Sequence, residues 1–327
     1  MRLDSSHRAG PALKEAERHF AIRRARLRCA GELLRSKTFV LAASAGLGLC
    51  LQLILVQPPS ALAQQQQQKQ APKGINRPPD PRVQQRKYHF TDTNEDLPYA
   101  LFVSSKVTKD KKAPLIVMLH GLGGDHNNLL RSPAVDLAEE GGYIIVGPMG
   151  YNPRGWYGTP AGQPRAGAAA KGGAPKAGPP NNDPPNLREL SEKDVMNVLE
   201  LVRTEFNVDE NRTYLMGHSM GGAGALYLGT KYASNWAAIG ALAPAAFAMQ
   251  PNAKEMLTPV KDTMPVILVQ GGADTAVPVD RTRQWVATMN ELKMNYKYVE
   301  MGPEDHGTII PKGMPEIFKF FGEHTKH

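Results

Sequence analysis

The hydrophobic pattern changes character along the chain. From about residue 87 to the C-terminus, continuous apolar runs alternate with segments whose apolar residues recur every three or four positions. Continuous runs are typical of strands buried on both faces of a parallel sheet, whereas the longer spacing is typical of amphipathic helices. The predicted strands are an opening strand near 87–90, followed by 98–104, 113–120, 143–146, 213–216, 237–245, 264–270 and 296–301. The predicted helices are 128–140, 191–206, 280–292 and 314–324.

This alternation predicts the fold class. Strands that alternate with helices indicate an α/β protein, in which a mostly parallel central sheet is covered by helices on both faces. The helix from Ser191 illustrates the evidence, because Val195, Leu199 and Val202 fall on one of its faces. Ser191 and Asp194 resemble a capping box and mark the predicted start of this helix.

Residues 1–63 lack the alternation and are typical of a basic N-region followed by a signal peptide. Residues 1–37 carry ten Lys and Arg against four Asp and Glu, and residues 38–63 carry no charge. Ala61-Leu-Ala63 then supplies the small-x-small pattern that a signal peptidase requires. We expect cleavage before Gln64 and export to the periplasm or the extracellular space. An uncleaved membrane anchor is the alternative, since about 18 largely apolar residues approach the length of a membrane span.

Two further stretches have a biased composition. Residues 64–86 are rich in Gln and Pro and cannot bury enough apolar surface to fold, so we expect a disordered linker before a folded domain at 87–327. Within that domain, residues at about 151–187 are rich in Gly, Ala and Pro. Few of their side chains can anchor a core, so this insertion is predicted to be a mobile surface loop.

Charge and cysteine content narrow the possible partners. The formal net charge is +8, but residues 1–37 contribute six of these charges, and the rest of the chain has only +2. Basic residues there are scattered among acidic ones, so we expect no nucleic-acid partner. Both cysteines, Cys29 and Cys50, precede the predicted cleavage site, so the domain has no thiolate metal site or disulfide. We expect no metal, no cofactor and no membrane partner after signal cleavage, while the oligomeric state stays open.

A candidate nucleophile lies where strand 213–216 meets a helical pattern. Gly217-His-Ser-Met-Gly221 places Ser219 between two glycines, as in the nucleophile elbow, a tight strand-to-helix turn that exposes a serine hydroxyl. A Cβ atom at either glycine would collide with the neighbouring strand or helix, and Ser219 is expected to adopt a strained backbone conformation. The motif alone is also compatible with a helix start that has no chemistry.

The sequence also offers partners for this serine. A serine hydroxyl needs an imidazole to take its proton and a carboxylate to orient that imidazole. Strand 264–270 leads into a loop with Asp274, and strand 296–301 leads into a loop with His306. Because parallel strands end at the same edge of a sheet, Ser219, Asp274 and His306 are predicted to lie together as the catalytic residues.

Competing residues fit these roles less well. Asp280 is expected to cap the following helix, and Asp305 is too close to His306 in sequence for an easy hydrogen bond. Among the other histidines, His126 precedes the elbow, whereas the expected order is serine, carboxylate, histidine.

Strand 113–120 supplies the last element of a candidate site. It ends in the glycine-rich turn His120-Gly-Leu-Gly-Gly124, which can direct a backbone N–H at the nucleophile. The residue after Ser219 can supply a second N–H. The predicted oxyanion hole therefore consists of the amides of Leu122 and Met220.

Three further residues are candidate substrate contacts. Trp156 and Tyr157 follow the strand after the oxyanion turn and can line a pocket, although an aromatic pair that merely packs a loop is an equally open interpretation. His218 is a candidate because it directly precedes the nucleophile.

From about residue 87 onward, these motifs resemble the α/β-hydrolase superfamily. The chain is similar to small esterases related to dienelactone hydrolase, feruloyl esterases and polyhydroxybutyrate depolymerases, and to the catalytic domain of prolyl oligopeptidases. The elbow also resembles that of cutinases and polyester hydrolases, but their usual C-terminal cysteines are absent here. Prolyl oligopeptidases carry a propeller domain before the hydrolase domain, and residues 64–86 cannot supply one.

The resemblance implies a stand-alone catalytic domain with the α/β-hydrolase fold. Its expected activity is that of a secreted serine esterase, which cleaves short-chain or aromatic acyl esters, small or polymeric, through an acyl-enzyme on Ser219. Three alternatives stay open: a prolyl oligopeptidase-type peptidase, a polyester depolymerase, and a secreted binding protein that has lost the chemistry.

Overall fold

A computed structural model of the chain describes residues 78–160, 182–246 and 252–326. The predicted signal peptide, most of the predicted linker and the central part of the predicted insertion lie outside the described residues. Within the described ranges, no helix combines the length and the apolar character needed to cross a membrane.

The described residues are built around an eight-stranded sheet. The strands are β1 (Gln84–Phe90), β2 (Glu95–Val103), β3 (Ala113–Leu119), β4 (Ile144–Pro148), β5 (Val208–His218), β6 (Ala238–Leu242), β7 (Val266–Gly271) and β8 (Tyr296–Met301). Their spatial order is β1-β2-β4-β3-β5-β6-β7-β8. The pairs β1–β2 and β2–β4 are antiparallel, and every other neighbouring pair is parallel. The predicted mostly parallel sheet is thereby confirmed.

Helices cover both faces of this sheet. The described helices are α1 (Ala134–Gly141), α2 (Leu187–Glu205), α3 (Met220–Lys231), α4 (Ala253–Leu257), α5 (Val279–Glu291) and α6 (Ile309–Gly322). Helices α2, α3 and α5 share one buried cluster with strand residues such as Leu115 and Leu215. Helices α1 and α6 share a second cluster with Ile116 and Met216 on the opposite face. Because both faces are covered, consecutive strand residues are buried, which explains the continuous apolar runs.

Several element boundaries differ from the predicted ones; for example, β5 begins at Val208 rather than at 213, and α1 begins at Ala134 rather than at 128. Strand β1 begins at Gln84 and Val83 is already buried, so the last residues of the predicted linker belong to the folded domain. Helix α6 begins at Ile309 rather than Met314. Its early start includes Pro311, which is tolerated in a first turn because the N–H groups there have no intrahelical partner.

The predicted capping box is wrong. Ser191 and Asp194 lie inside α2, which begins at Leu187, and both residues are fully buried. Their side chains bind backbone N–H groups of the segment after β4 instead of the helix start. The polar residues on this helix face therefore serve a long-range contact.

Candidate active site

The nucleophile elbow has the geometry that the sequence predicts. Ser219 lies between the end of β5 and the first residue of α3, with φ 56° and ψ −116°. A Cβ at Gly217 would lie 2.1 Å from the carbonyl oxygen of Gly221, and a Cβ at Gly221 would lie 2.0 Å from that of Leu119. Such distances are impossible for real atoms, so only glycine fits at either position. The positive φ of Ser219 is a strained conformation that this tight turn imposes.

The structure brings together the three predicted polar residues. Ser219 Oγ lies 2.9 Å from His306 Nε2, and Asp274 Oδ2 lies 2.7 Å from His306 Nδ1. These groups come from the loops that follow β5, β7 and β8, all at the same edge of the sheet. The arrangement is that of a nucleophile, a base and an orienting carboxylate.

Asp274 is held firmly in this arrangement. Its side chain is fully buried, and Oδ1 accepts the backbone N–H groups of Ala276 and Val277 at 2.9 and 2.8 Å. Oδ2 also accepts the side-chain amide of Gln270 at 3.1 Å. Because the carboxylate acts as acceptor, Nδ1 of His306 carries the proton and Nε2 is free to accept the hydroxyl proton of Ser219.

The predicted oxyanion turn passes directly against the nucleophile. A Cβ on Gly121 would lie 3.4 Å from Ser219 Cβ and 3.1 Å from His218 Nδ1, so the turn lies directly beside the elbow and a larger residue would crowd His218. Gly123 N donates to Pro153 O and Gly124 N donates to Gly121 O, both at 2.9 Å. The first bond ties the turn to the segment after β4, and the second closes the turn on itself.

Neither of the two predicted oxyanion amides donates to a backbone acceptor among the described residues. Met220 is the first residue of α3, so its amide has no intrahelical acceptor. Among the described residues, no carbonyl pairs with the amide of Leu122 either. The Leu122 side chain is 59% exposed.

Tyr157 does not line a pocket. Its side chain is completely buried, and its hydroxyl donates to the carbonyl oxygen of His120 at 3.1 Å. A Cβ on Gly224 would lie 2.6 Å from the Tyr157 ring, so α3 contacts this ring closely. The alternative interpretation therefore holds for Tyr157: it packs behind the oxyanion turn rather than touching substrate. Trp156 is only partly buried, with the Arg188 guanidinium carbon 5.7 Å from its ring centroid.

A buried polar network that the sequence analysis missed holds this segment in place. Asp194 Oδ2 accepts the N–H groups of Gly150 and Tyr151 at 2.6 and 3.1 Å, and Oδ1 accepts the Tyr88 hydroxyl at 2.6 Å. Burial raises the pKa of Asp194 to about 6, although these hydrogen bonds oppose the shift. Ser191 Oγ accepts the N–H of Tyr157 at 3.0 Å. The sequence feature that could have revealed this network is the presence of two polar residues, Ser191 and Asp194, on the apolar face of α2.

His218 supports the His306 loop instead of facing a substrate. It is 6% exposed, and its Nε2 donates to the backbone oxygen of His306 at 2.8 Å. Burial, together with the nearby His306, lowers the pKa of His218 to about 4, so its ring is neutral at neutral pH. Within the described ranges, no group of three or more His, Cys, Asp and Glu side chains could hold a metal ion.

The sheet, the elbow and the row of Ser219, His306 and Asp274 define the chain as a serine hydrolase with the α/β-hydrolase fold. The family model Esterase, described as "Putative esterase", matches residues 92–300. This match covers more than half of the chain, which therefore belongs to this family and is a carboxylic ester hydrolase. No curated protein matches the sequence.

Solved structures share the fold at low sequence identity. An S-formylglutathione hydrolase from Agrobacterium tumefaciens is 16% identical, with a TM-score of 0.58 over 74% of this chain and 94% of its own. A ferulic acid esterase from Anaeromyces mucronatus is 17% identical, with a TM-score of 0.55 over 77% and 94%. A thermostable esterase is 22% identical, with a TM-score of 0.53 over 75% of this chain and 64% of its own length.

Proposed function

We propose that this protein hydrolyses carboxylic esters with short-chain or aromatic acyl groups, with Ser219 as nucleophile, His306 as base and Asp274 as its orienting carboxylate. The observation that carries the proposal is the hydrogen-bonded row of these three residues, with spacings of 2.9 and 2.7 Å, at a strained nucleophile elbow. The ferulic acid esterase among the structural neighbours supports the aromatic acyl group, and the signal-like pattern of residues 1–63 supports export.

Acylation follows from the positions of the protons. His306 Nε2 takes the hydroxyl proton as Ser219 Oγ bonds to the ester carbonyl carbon, and the carbonyl oxygen becomes an oxyanion. The amides of Leu122 and Met220 donate to that oxygen. The protonated Nε2 then gives its proton to the alcohol oxygen as the carbon–oxygen bond breaks, which leaves an acyl group on Ser219.

Deacylation uses the same groups. Water takes the place of the alcohol and gives a proton to His306 Nε2 as it attacks the acyl carbon. The same amides hold the second oxyanion. His306 returns the proton to Ser219 Oγ as the acid leaves. Asp274 orients His306 and stabilises the imidazolium that forms in each half-reaction.

The substitution Ser219→Ala tests this proposal. We expect kcat/KM on p-nitrophenyl acetate and methyl ferulate to fall on the order of 10³-fold or more, because the nucleophile is lost while almost no packing changes. Ser234→Ala, at an exposed serine after α3, is the matched control and should retain full activity. Undiminished turnover by a folded Ser219→Ala variant would end the assignment, and a wild-type protein inert on all esters would favour the non-catalytic binding protein.

A further inference from the structure

A groove of about 510 Å³ lies on the side of the sheet covered by α1 and α6. One wall is the segment from Asn128 to Ala134, which joins the oxyanion turn to α1. The other wall includes Asp305 and Gly307, the two chain neighbours of His306, and continues into the first turns of α6. Both walls are therefore continuations of the loops that contribute to the proposed reaction.

We propose that this groove binds the alcohol part of the ester, and that the natural leaving group is a bulky, mainly apolar alcohol. This inference rests on the proposed function of Ser219 and His306.

The positions required of the oxyanion and of the leaving alcohol oxygen place the alcohol part of the ester beside the groove. The carbonyl oxygen must point toward the amides of Leu122 and Met220, and the alcohol oxygen must lie within hydrogen-bond reach of His306 Nε2 to receive its proton. A bound ester therefore spans the space between the oxyanion loop and the His306 loop. The part of the alcohol beyond its oxygen continues along these two loops, which are the loops that form the groove.

The lining of the groove determines the kind of alcohol. Leu129, Ala134 and Met314 are almost fully buried and form an apolar floor, and Ile310 is half-buried beside them. The lining also contains two charged residues. Arg131 donates to the carbonyl oxygen of Pro78, and exposed Asp305 uses its Oδ1 to accept the N–H groups of Gly307 and Thr308 and the Thr308 hydroxyl. Pockets of roughly 300–1,000 Å³ suit whole organic ligands, so methanol would leave this groove nearly empty.

Two esters of the same acid test the inference. Ethyl butyrate and 2-(1-naphthyl)ethyl butyrate share an acyl group and have similarly reactive leaving groups, so their relative kcat/KM reports binding of the alcohol. We expect the wild type to prefer the naphthylethyl ester by at least about tenfold. Ile310→Trp fills the groove and should reduce that preference by about tenfold, mainly through KM. Lys312→Trp adds the same side chain at an exposed position of the same helix and should keep the preference.

The possible outcomes separate this inference from the proposed function. Equal kcat/KM for the two esters in the wild type would overturn the subsite while leaving the esterase intact. An equal loss on both esters in Ile310→Trp would also overturn it. If neither ester is hydrolysed faster by wild type than by Ser219→Ala, the proposed function fails and the subsite fails with it. Should Ile310→Trp not fold, Ile310→Ala replaces it: loss of the apolar contact should lower the preference severalfold, and an unchanged preference contradicts the inference.

Discussion

Replacing Tyr157 with Phe removes one hydroxyl group and keeps a completely buried ring. That hydroxyl donates to the carbonyl oxygen of His120, the first residue of the oxyanion turn. The ring packs edge-on against the His120 ring with 5.7 Å between centroids, and Phe preserves this contact. The substitution therefore tests whether the hydrogen bond positions the Leu122 amide.

The size of the effect can be worked from this single bond. A neutral hydrogen bond contributes about 0.5–1.5 kcal/mol, and a buried carbonyl left without its donor costs about 1–3 kcal/mol. A loss of about 1.4 kcal/mol expressed in the transition state is a factor of about ten in rate. We expect kcat to fall about 5- to 50-fold, less than the roughly 10²- to 10³-fold cost of losing a whole oxyanion donor. KM should change little, because the oxyanion forms only in the transition state.

Steady-state kinetics on p-nitrophenyl butyrate, with thermal unfolding alongside, measures both effects. Tyr151→Phe is the matched control, since its hydroxyl lies in the same segment but donates to Glu95 at the surface, 3.0 Å away. An increase in KM at constant kcat would mean that Tyr157 contacts substrate, as the sequence suggested. Unchanged kcat and KM with a lowered melting temperature in Tyr157→Phe would show that the Tyr157 hydroxyl contributes only to stability. Either result refutes the positioning role.

Two further predictions concern the buried carboxylate and the choice of substrate. Burial raises the pKa of Asp194 in the folded protein to about 6. As pH falls, the folded protein therefore protonates Asp194 before the unfolded chain does. The contribution of Asp194 to the free energy of unfolding consequently rises as pH falls from 7 to 4. In urea titrations, the free energy of unfolding of wild type minus that of Asp194→Asn should therefore increase by up to about 3 kcal/mol from pH 7 to pH 4. A difference that does not change with pH contradicts the raised pKa of Asp194. We also expect kcat/KM on short-chain or aromatic esters to exceed kcat/KM on matched peptide amides by at least roughly 10²-fold, a difference of about 2.7 kcal/mol in transition-state stabilisation. A comparable kcat/KM on a prolyl amide would favour the peptidase alternative.

The strands and the elbow were predictable because their signals are local. Strand β8 has the predicted bounds, Tyr296–Met301, since an alternating run ends there in Gly302 and Pro303. The elbow was predictable because the need for glycine at 217 and 221 arises within a few residues of each. Asp274 and His306 could be placed from strand ends alone, because the parallel order sets which loops share an edge.

The contacts that hold the oxyanion turn and the segment after β4 were not predictable, since they join distant parts of the chain. Ser191 and Asp194 have the spacing of a capping box, and only their place on an apolar helix face distinguishes that role from binding a segment about 40 residues away. The conformation of Tyr157, with φ 51°, likewise depends on Ser191 and on the space left by Gly224.

These distant contacts explain how a Gly-rich turn can act as a fixed oxyanion donor. Glycine permits the close approach of Gly121 to His218 in the elbow but leaves the backbone with large conformational freedom, which would weaken a preorganised site. The Tyr157 hydroxyl restrains the turn by donating to the carbonyl oxygen of His120, and the carbonyl oxygen of Pro153 restrains it by accepting the amide of Gly123. Both residues belong to the segment after β4 that Asp194 anchors by its backbone. The described part of the predicted surface loop is therefore better understood as the support of the oxyanion turn.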